Sequence, residues 1–71
     1  MLEKRSFSLS GHRTSVALEP AFWAALESIA THRAQPLLGL VTELDAKRAE
    51  GQPLASALRV FALHNAPPQT R

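Results

Sequence analysis

Residues 12–20 read His12-Arg13-Thr14-Ser15-Val16-Ala17-Leu18-Glu19-Pro20, and this stretch decides the fold. Polar and apolar residues alternate over one short strand, and Glu19-Pro20 then opens a helix, because proline suits the first helical position. A lone strand leaves its backbone N–H and C=O groups without partners, and no later segment has a strand pattern. We therefore expect this strand to pair, antiparallel, with the same strand of a second copy.

Size and composition favour an oligomer. The chain has 71 residues, of which 45% are hydrophobic, and it has no cysteine. Domains below about 70–80 residues usually need disulfides, a metal or oligomerisation to be stable. Disulfides and cysteine-based zinc sites are excluded here, so we expect one domain that shares its core with a second copy.

The net positive charge lies in the N-terminal segment. Residues 1–18 carry three basic residues against one acidic residue, and residues 19–71 carry five of each. The three basic residues are Lys4, Arg5 and Arg13. A local basic stripe is typical of proteins that bind polyanions, although it also occurs as a solubilising tail.

Arg13, Ser15 and Ala17 share the strand face opposite Val16 and Leu18. This trio suits the major groove of DNA, because arginine bonds guanine O6 and N7 together, serine bonds several base edges and alanine contacts the thymine methyl group. A groove about 12 Å wide admits a two-stranded ribbon. The alternative interpretation is an ordinary solvent-exposed strand face.

The segment before this strand also alternates, in the opposite phase. Phe7 and Leu9 alternate with serines, so the phase must change near Gly11. Three interpretations remain open. Gly11 forms a bulge in one longer strand, residues 10–12 form a turn that folds residues 4–9 back on the ribbon, or the segment is a basic arm that becomes ordered on DNA.

Three amphipathic helices are predicted after the strand. The first spans about residues 20–34, the second starts at Pro36 and ends near Gly51, and the third restarts after Pro53 and stops at Pro67-Pro68. Their apolar faces and the strand predict a dimer core of Val16, Leu18, Phe22, Leu26, Ile29, Leu37, Leu40, Val41 and Leu44.

Two apolar features have more than one interpretation. Trp23 lies just off the apolar stripe of the first helix, where it seals the edge of the core or packs across the dimer. The third helix, with its apolar residues 54–63, either caps the dimer or docks a protein partner.

Enzyme activity is not expected. The three histidines lie far apart, and no zinc-protease, nucleophile-elbow or phosphate-loop motif occurs in the sequence. We therefore predict no catalytic residues, no metal site and no cofactor. No apolar run is long enough to span a membrane, and the start of the chain lacks the apolar segment of a signal peptide.

The order of strand, proline-started helix, turn and second helix resembles the ribbon-helix-helix family, the Arc/MetJ-like bacterial repressors. The stretch Gly11-His12-Arg13-Thr14-Ser15-Val16 and the tail Ser56-Ala57-Leu58-Arg59-Val60-Phe61 resemble, more narrowly, a group of small bacterial proteins of that superfamily. The resemblance implies a mostly α fold in which one N-terminal strand pairs across a homodimer, with two core helices and a third C-terminal helix.

The resemblance also implies how the chain is divided and what it does. Residues 1–11 would be a basic arm or extra strand, residues 12–66 the ribbon-helix-helix domain, and residues 67–71 a frayed tail. The expected function is a cytoplasmic, homodimeric transcriptional regulator that binds double-stranded DNA. The alternative is a protein-interaction or antitoxin-type dimerisation module with little DNA specificity.

Site residues follow from the same resemblance. The implied base readers are Arg13, Ser15 and Ala17. The implied phosphate contacts are Lys4, Arg5, His12, Leu37 and Leu38. Pro36 has neither an N–H nor a hydroxyl, so the amides of Leu37 and Leu38 are the donors expected at the start of the second helix.

Overall fold

Two strands and three helices follow one another in the computed structural model, which describes residues 1–65. The strands are β1 (Glu3–Leu9) and β2 (His12–Leu18), and the helices are α1 (Pro20–His32), α2 (Leu37–Lys47) and α3 (Leu54–Asn65). The prediction of a mostly helical chain with an N-terminal strand element and three helices is confirmed. The predicted stop at Pro67-Pro68 and the predicted frayed tail lie outside the described residues.

The expectation of an unpaired strand was wrong, because β2 has a partner within its own chain. β1 and β2 form an antiparallel hairpin in which Glu3 lies opposite Leu18 and Leu9 lies opposite His12. The turn consists of Ser10 and Gly11, whose φ angles are 51° and 80°. Positive φ at both turn residues is the type I′ geometry, whose twist matches that of the flanking strands. Residues 4–9 are therefore folded back on β2 by a turn, and they form neither a bulged continuation of one strand nor a flexible arm.

The hairpin has one buried face and one exposed face. The buried face carries Phe7 and Leu9 from β1, and Val16 and Leu18 from β2. The helices pack against this face, since apolar strand side chains must be covered on one side for a two-stranded sheet to be stable. The phase change at Gly11 is therefore the turn itself, which lets both strands direct their apolar residues inwards.

Trp23 fastens β1 to α1. Its side chain is 1% exposed, and its indole Nε1–H donates a hydrogen bond of 2.7 Å to the backbone carbonyl of Glu3. The ring of Phe7 lies 5.8 Å from the indole, and the guanidinium of Arg5 lies 4.8 Å from the ring centroid. Trp23 thus seals the core by packing against the chain's own first strand.

The first helix ends two residues earlier than predicted, at His32. Ala34 adopts a left-handed conformation with a φ of 54°, and the N–H of Gln35 donates to the carbonyl of Ala30. This is the hydrogen-bond pattern that closes many helices, although glycine usually occupies the left-handed position.

The second helix is shorter than predicted at both ends. Pro36 is its N-cap and not its first helical residue, and Arg48 ends it in an extended conformation. Gly51 belongs to the following turn instead, in which the N–H of Gln52 donates to the carbonyl of Ala49. The side-chain oxygen of Gln52 accepts in turn from the N–H of Ala49.

The core differs from the predicted set at a few positions. Seven of the predicted residues are buried, whereas Phe22 and Leu37 are half-buried and pack against the core from its edge. The core also includes Leu9, Trp23, Ala30, Leu54, Leu58 and Ala62.

Part of the apolar face of α3 is covered by the chain itself, whereas Val60 and Leu63 are 46% and 73% exposed. Leu58 is fully buried and Ala62 is 1% exposed. The guanidinium of Arg59 bonds the carboxylate of Glu19 at 2.9 Å, which ties α3 to the start of α1. Leu58 and Ala62 are therefore unavailable to a protein partner, and no observation tests the predicted docking through the rest of residues 54–63.

Replacement of Trp23 should destabilise the hairpin and the core together. We expect Trp23→Ala to lower the free energy of unfolding by about 3–5 kcal/mol, because the change empties a large buried volume and removes the bond to Glu3. Urea unfolding followed by circular dichroism measures this change. The control is Leu63→Ala, whose side chain is 73% exposed, and equal small losses in both variants would contradict the role of Trp23.

Glu19 should make the stability fall in acid. The hydrogen bond from its own backbone N–H, and next the bond from Arg59, lower the pKa of the Glu19 carboxyl below its ordinary value of 4.5. A lowered native pKa stabilises the fold above the unfolded-state pKa, and this contribution is lost as the pH falls through the native value. Glu19→Gln should therefore flatten the decline of stability below about pH 4.5, and an unchanged acid profile would contradict the assignment.

Candidate nucleic-acid interface

The exposed face of the hairpin combines residues from both strands. β1 contributes Lys4, Ser6 and Ser8, and β2 contributes Arg13, Ser15 and Ala17. They lie opposite one another in pairs: Lys4 with Ala17, Ser6 with Ser15, and Ser8 with Arg13. We call these six residues the outer face of the hairpin. Five of them are exposed and Ala17 is half-buried.

Hydroxyl groups occupy the middle of the outer face. The Oγ atoms of Ser6 and Ser15 lie 3.0 Å apart, and either hydroxyl can donate to the other. Whichever hydroxyl accepts keeps its own hydrogen for a further partner. The centre of the face therefore offers both a donor and acceptors to a ligand.

Charges are separated between the two faces of the hairpin. The outer face carries Lys4 and Arg13 and no acidic residue, and neither cation takes part in an ion pair among residues 1–65. The outer face is thus a positive surface with its cations available.

Arg5 is held on the opposite face. It forms ion pairs with Glu3 and Glu27, and these two carboxylates, Glu27 foremost, raise the pKa of Arg5 above its ordinary value. Arg5 and Glu3 thus cancel on the inner face, and the net charge of +2 of residues 1–18 is that of Lys4 and Arg13 on the outer face. Arg5, which was predicted to contact phosphate, is instead occupied by these two carboxylates.

His12 is exposed at the hairpin end but does not share the outer face. It is paired with Leu9 and alternates with Arg13 along β2, so its side chain lies on the other side of the sheet. The structure therefore brings Lys4 together with Arg13, Ser15 and Ala17, and separates Arg5 and His12 from them.

The backbone of β2 has a free edge among the described residues, because the sheet has two strands in the order β1-β2. A two-residue turn is flanked by a hydrogen-bonded pair, and such pairs alternate along an antiparallel ladder. The N–H and C=O groups of Arg13, Ser15 and Ala17 therefore point away from β1. Arg13, Ser15 and Ala17 thus contribute their side chains to the outer face and their backbone groups to the free edge.

The start of α2 offers a second set of donors. Pro36 is the N-cap, no side chain caps the helix, and the N–H of Leu40 is the first to bond within it, to the carbonyl of Pro36. Among residues 1–65 the amides of Leu37, Leu38 and Gly39 have no hydrogen-bond partner, so the structure adds the Gly39 amide to the two donors predicted from the sequence. Such amides and the helix dipole favour anions.

Gly39, the third residue of α2, is half-buried. A Cβ at position 39 would lie 3.6 Å from the Cγ of Pro36, which is an ordinary contact. The fold itself therefore does not require glycine here.

The sequence analysis missed three residues of this candidate interface, namely Ser6, Ser8 and Gly39. Ser6 and Ser8 alternate with Phe7 in the sequence, which places them on the face opposite the core once the turn is known. Gly39 follows Leu38 at the helix start, and the position of Pro36 as N-cap adds its amide to the group.

Comparison with known families gives the class of the fold. The ribbon-helix-helix domain family matches residues 2–66, which include β1, β2 and all three helices. The chain belongs to the ribbon-helix-helix family, as the resemblance implied. That family has a DNA-binding regulatory fold that is generally not enzymatic. No curated protein and no solved structure matches the chain. None of the helices in residues 1–65 has the length and apolar character needed to cross a membrane.

Substitution of Gly39 should separate stability from ligand binding. Gly39→Ala should raise the free energy of unfolding by about 0.5–1 kcal/mol, because alanine favours the helix and fits without a clash. If this helix start holds a phosphate of DNA, the same variant should bind DNA more weakly, since the added methyl group lies beside the amides of the first turn. Thermal unfolding and a fluorescence binding titration measure the two effects, and equal or tighter DNA binding would contradict a phosphate contact at this helix start.

Proposed function

We propose that this chain is a homodimeric DNA-binding protein that acts as a transcriptional regulator. The observation that carries the proposal is the outer face of the hairpin, which presents three hydroxyl groups, no carboxylate and two cations that have no ion-pair partner among residues 1–65. This chemistry suits the phosphates and base edges of the major groove. A regulator that acts on bacterial DNA would work in the cytoplasm.

Dimerisation is proposed to use the free edge of β2. The largest antiparallel overlap between two such edges is centred on Ser15, so that Arg13 of one copy lies opposite Ala17 of the other. Each copy keeps its own hairpin, and the two copies together form a four-stranded sheet. This corrects the expectation of a two-stranded ribbon, because β1 already occupies the other edge of β2.

Roles can be assigned to the residues of the two central strands. Arg13 and Ser15 are proposed to bond base edges, and Ala17 to contact a thymine methyl group. The amides at the start of α2 and Lys4 are proposed to contact phosphates, which position the protein without reading sequence.

The protein-interaction alternative rests on Val60 and Leu63 of α3, whose side chains are 46% and 73% exposed. Leu54 and Leu58 of the same helix lie in the core of the chain itself. A protein-interaction module is the remaining function if the wild-type protein binds no DNA at low salt.

DNA binding should depend strongly on salt and on Arg13. If the dimer neutralises roughly 4–8 phosphates, the slope of log K against log salt concentration should be about −4 to −7. Arg13→Ala should cost about 1–3 kcal/mol at each base contact and relax the preference at the matching base pair. The fold should persist, because the side chain is exposed. Fluorescence anisotropy with a pool of duplexes measures both quantities.

The matched control is Lys47→Ala, which removes one positive charge at the end of α2. It should leave the base preference unchanged. Absence of binding by the wild-type protein at low salt, or an equal effect of the two variants on base preference, would contradict the proposed function. A melting temperature that does not rise with protein concentration would contradict the dimer.

A further inference from the structure

β1 contributes three exposed residues to the outer face of the hairpin, and the proposed function gives a role to Lys4 alone. Lys4, Ser6 and Ser8 are all exposed and lie on the same side as Arg13 and Ser15. We propose that β1 is a flanking strand that contacts the phosphates on either side of the groove, with Ser6 and Ser8 as contacts beside Lys4. This inference rests on the proposed function and specifies its contacts.

The geometry of a four-stranded sheet separates the two kinds of strand. Neighbouring strands lie about 4.8 Å apart, so the two central strands lie about 2.4 Å from the two-fold axis and the two outer strands lie about 7 Å from it. A major groove about 12 Å wide extends about 6 Å on either side of its middle. The β2 strands therefore fit inside the groove, whereas the β1 strands lie over its walls, where the phosphates are.

The chemistry of the β1 residues agrees with this position. A lysine ammonium and serine hydroxyls are ordinary donors to phosphate oxygens. Lysine and serine also bond base edges, so the position of β1 over the groove walls, and not its residue types alone, assigns it to the phosphates. Arg13, the residue suited to guanine, lies on β2.

The strand is also fixed in place before it meets a ligand. The bond from the Trp23 indole to the carbonyl of Glu3 anchors the start of β1, and the bond between Ser6 and Ser15 joins β1 to the middle of β2. Contacts made by an ordered strand avoid the entropic cost that a flexible arm would bear on binding. Of the two alternatives for residues 1–11, a basic arm or an extra strand, the structure has the strand.

Variants of β1 test the inference against the wild-type protein. Ser8→Ala should weaken binding about five- to 150-fold for every duplex in a random-sequence pool, since each dimer loses two hydrogen bonds, without a change in the selected sequences. Lys4→Ala should weaken binding uniformly and reduce the magnitude of the salt slope by about 2, since each dimer loses two phosphate contacts. Ser56→Ala, outside the hairpin, is the matched control and should change neither quantity.

The outcomes separate the inference from the function on which it rests. If the wild-type protein binds DNA in an Arg13-dependent manner but Ser8→Ala alters the selected bases, β1 enters the groove and the flanking position is wrong. If Ser8→Ala and Lys4→Ala bind like the wild type, β1 lies away from the DNA and the inference is also wrong. If the wild-type protein binds no DNA, the proposed function fails and the inference fails with it.

Discussion

The contact between Trp23 and β1 is the interaction on which the rest of the structure depends. A hairpin of two strands is marginal by itself, and it persists here because one face is covered by helices. The indole is nearly fully buried and bonds the first residue of β1, which places the strand and its turn relative to α1. Everything on the outer face of the hairpin takes its position from this anchor.

Burial of one hairpin face also sorts the charges of the N-terminal segment. Arg5 lies towards the helices, where Glu3 and Glu27 neutralise it. Lys4 and Arg13 lie on the other side, with no carboxylate on their face. The alternation of a strand thus turns a modest net charge into one positive surface, and the ribbon-helix-helix family to which the chain belongs gives that surface its functional context.

The sequence predicted the elements better than their pairing. The alternation of residues 12–18 and the apolar stripes of the helices were sufficient for β2 and the helical core. The partner of β2 could not be chosen from the sequence, because the phase change at Gly11 is equally compatible with a bulge, a turn or an arm. Arg5 was predicted as a phosphate contact because a count of charges does not show on which face of a strand each charge lies. Ser6 and Ser8 were missed because their face is defined only when the turn at Ser10-Gly11 is known.

The most direct test of the account is a nuclear magnetic resonance titration of the labelled protein with duplex DNA at low salt. The account predicts that shift changes concentrate at the outer face of the hairpin, residues 4–8 and 13–17, and at the free amides of Leu37, Leu38 and Gly39. Changes confined to the exposed side of α3, around Val60 and Leu63, with the hairpin unaffected, would contradict it.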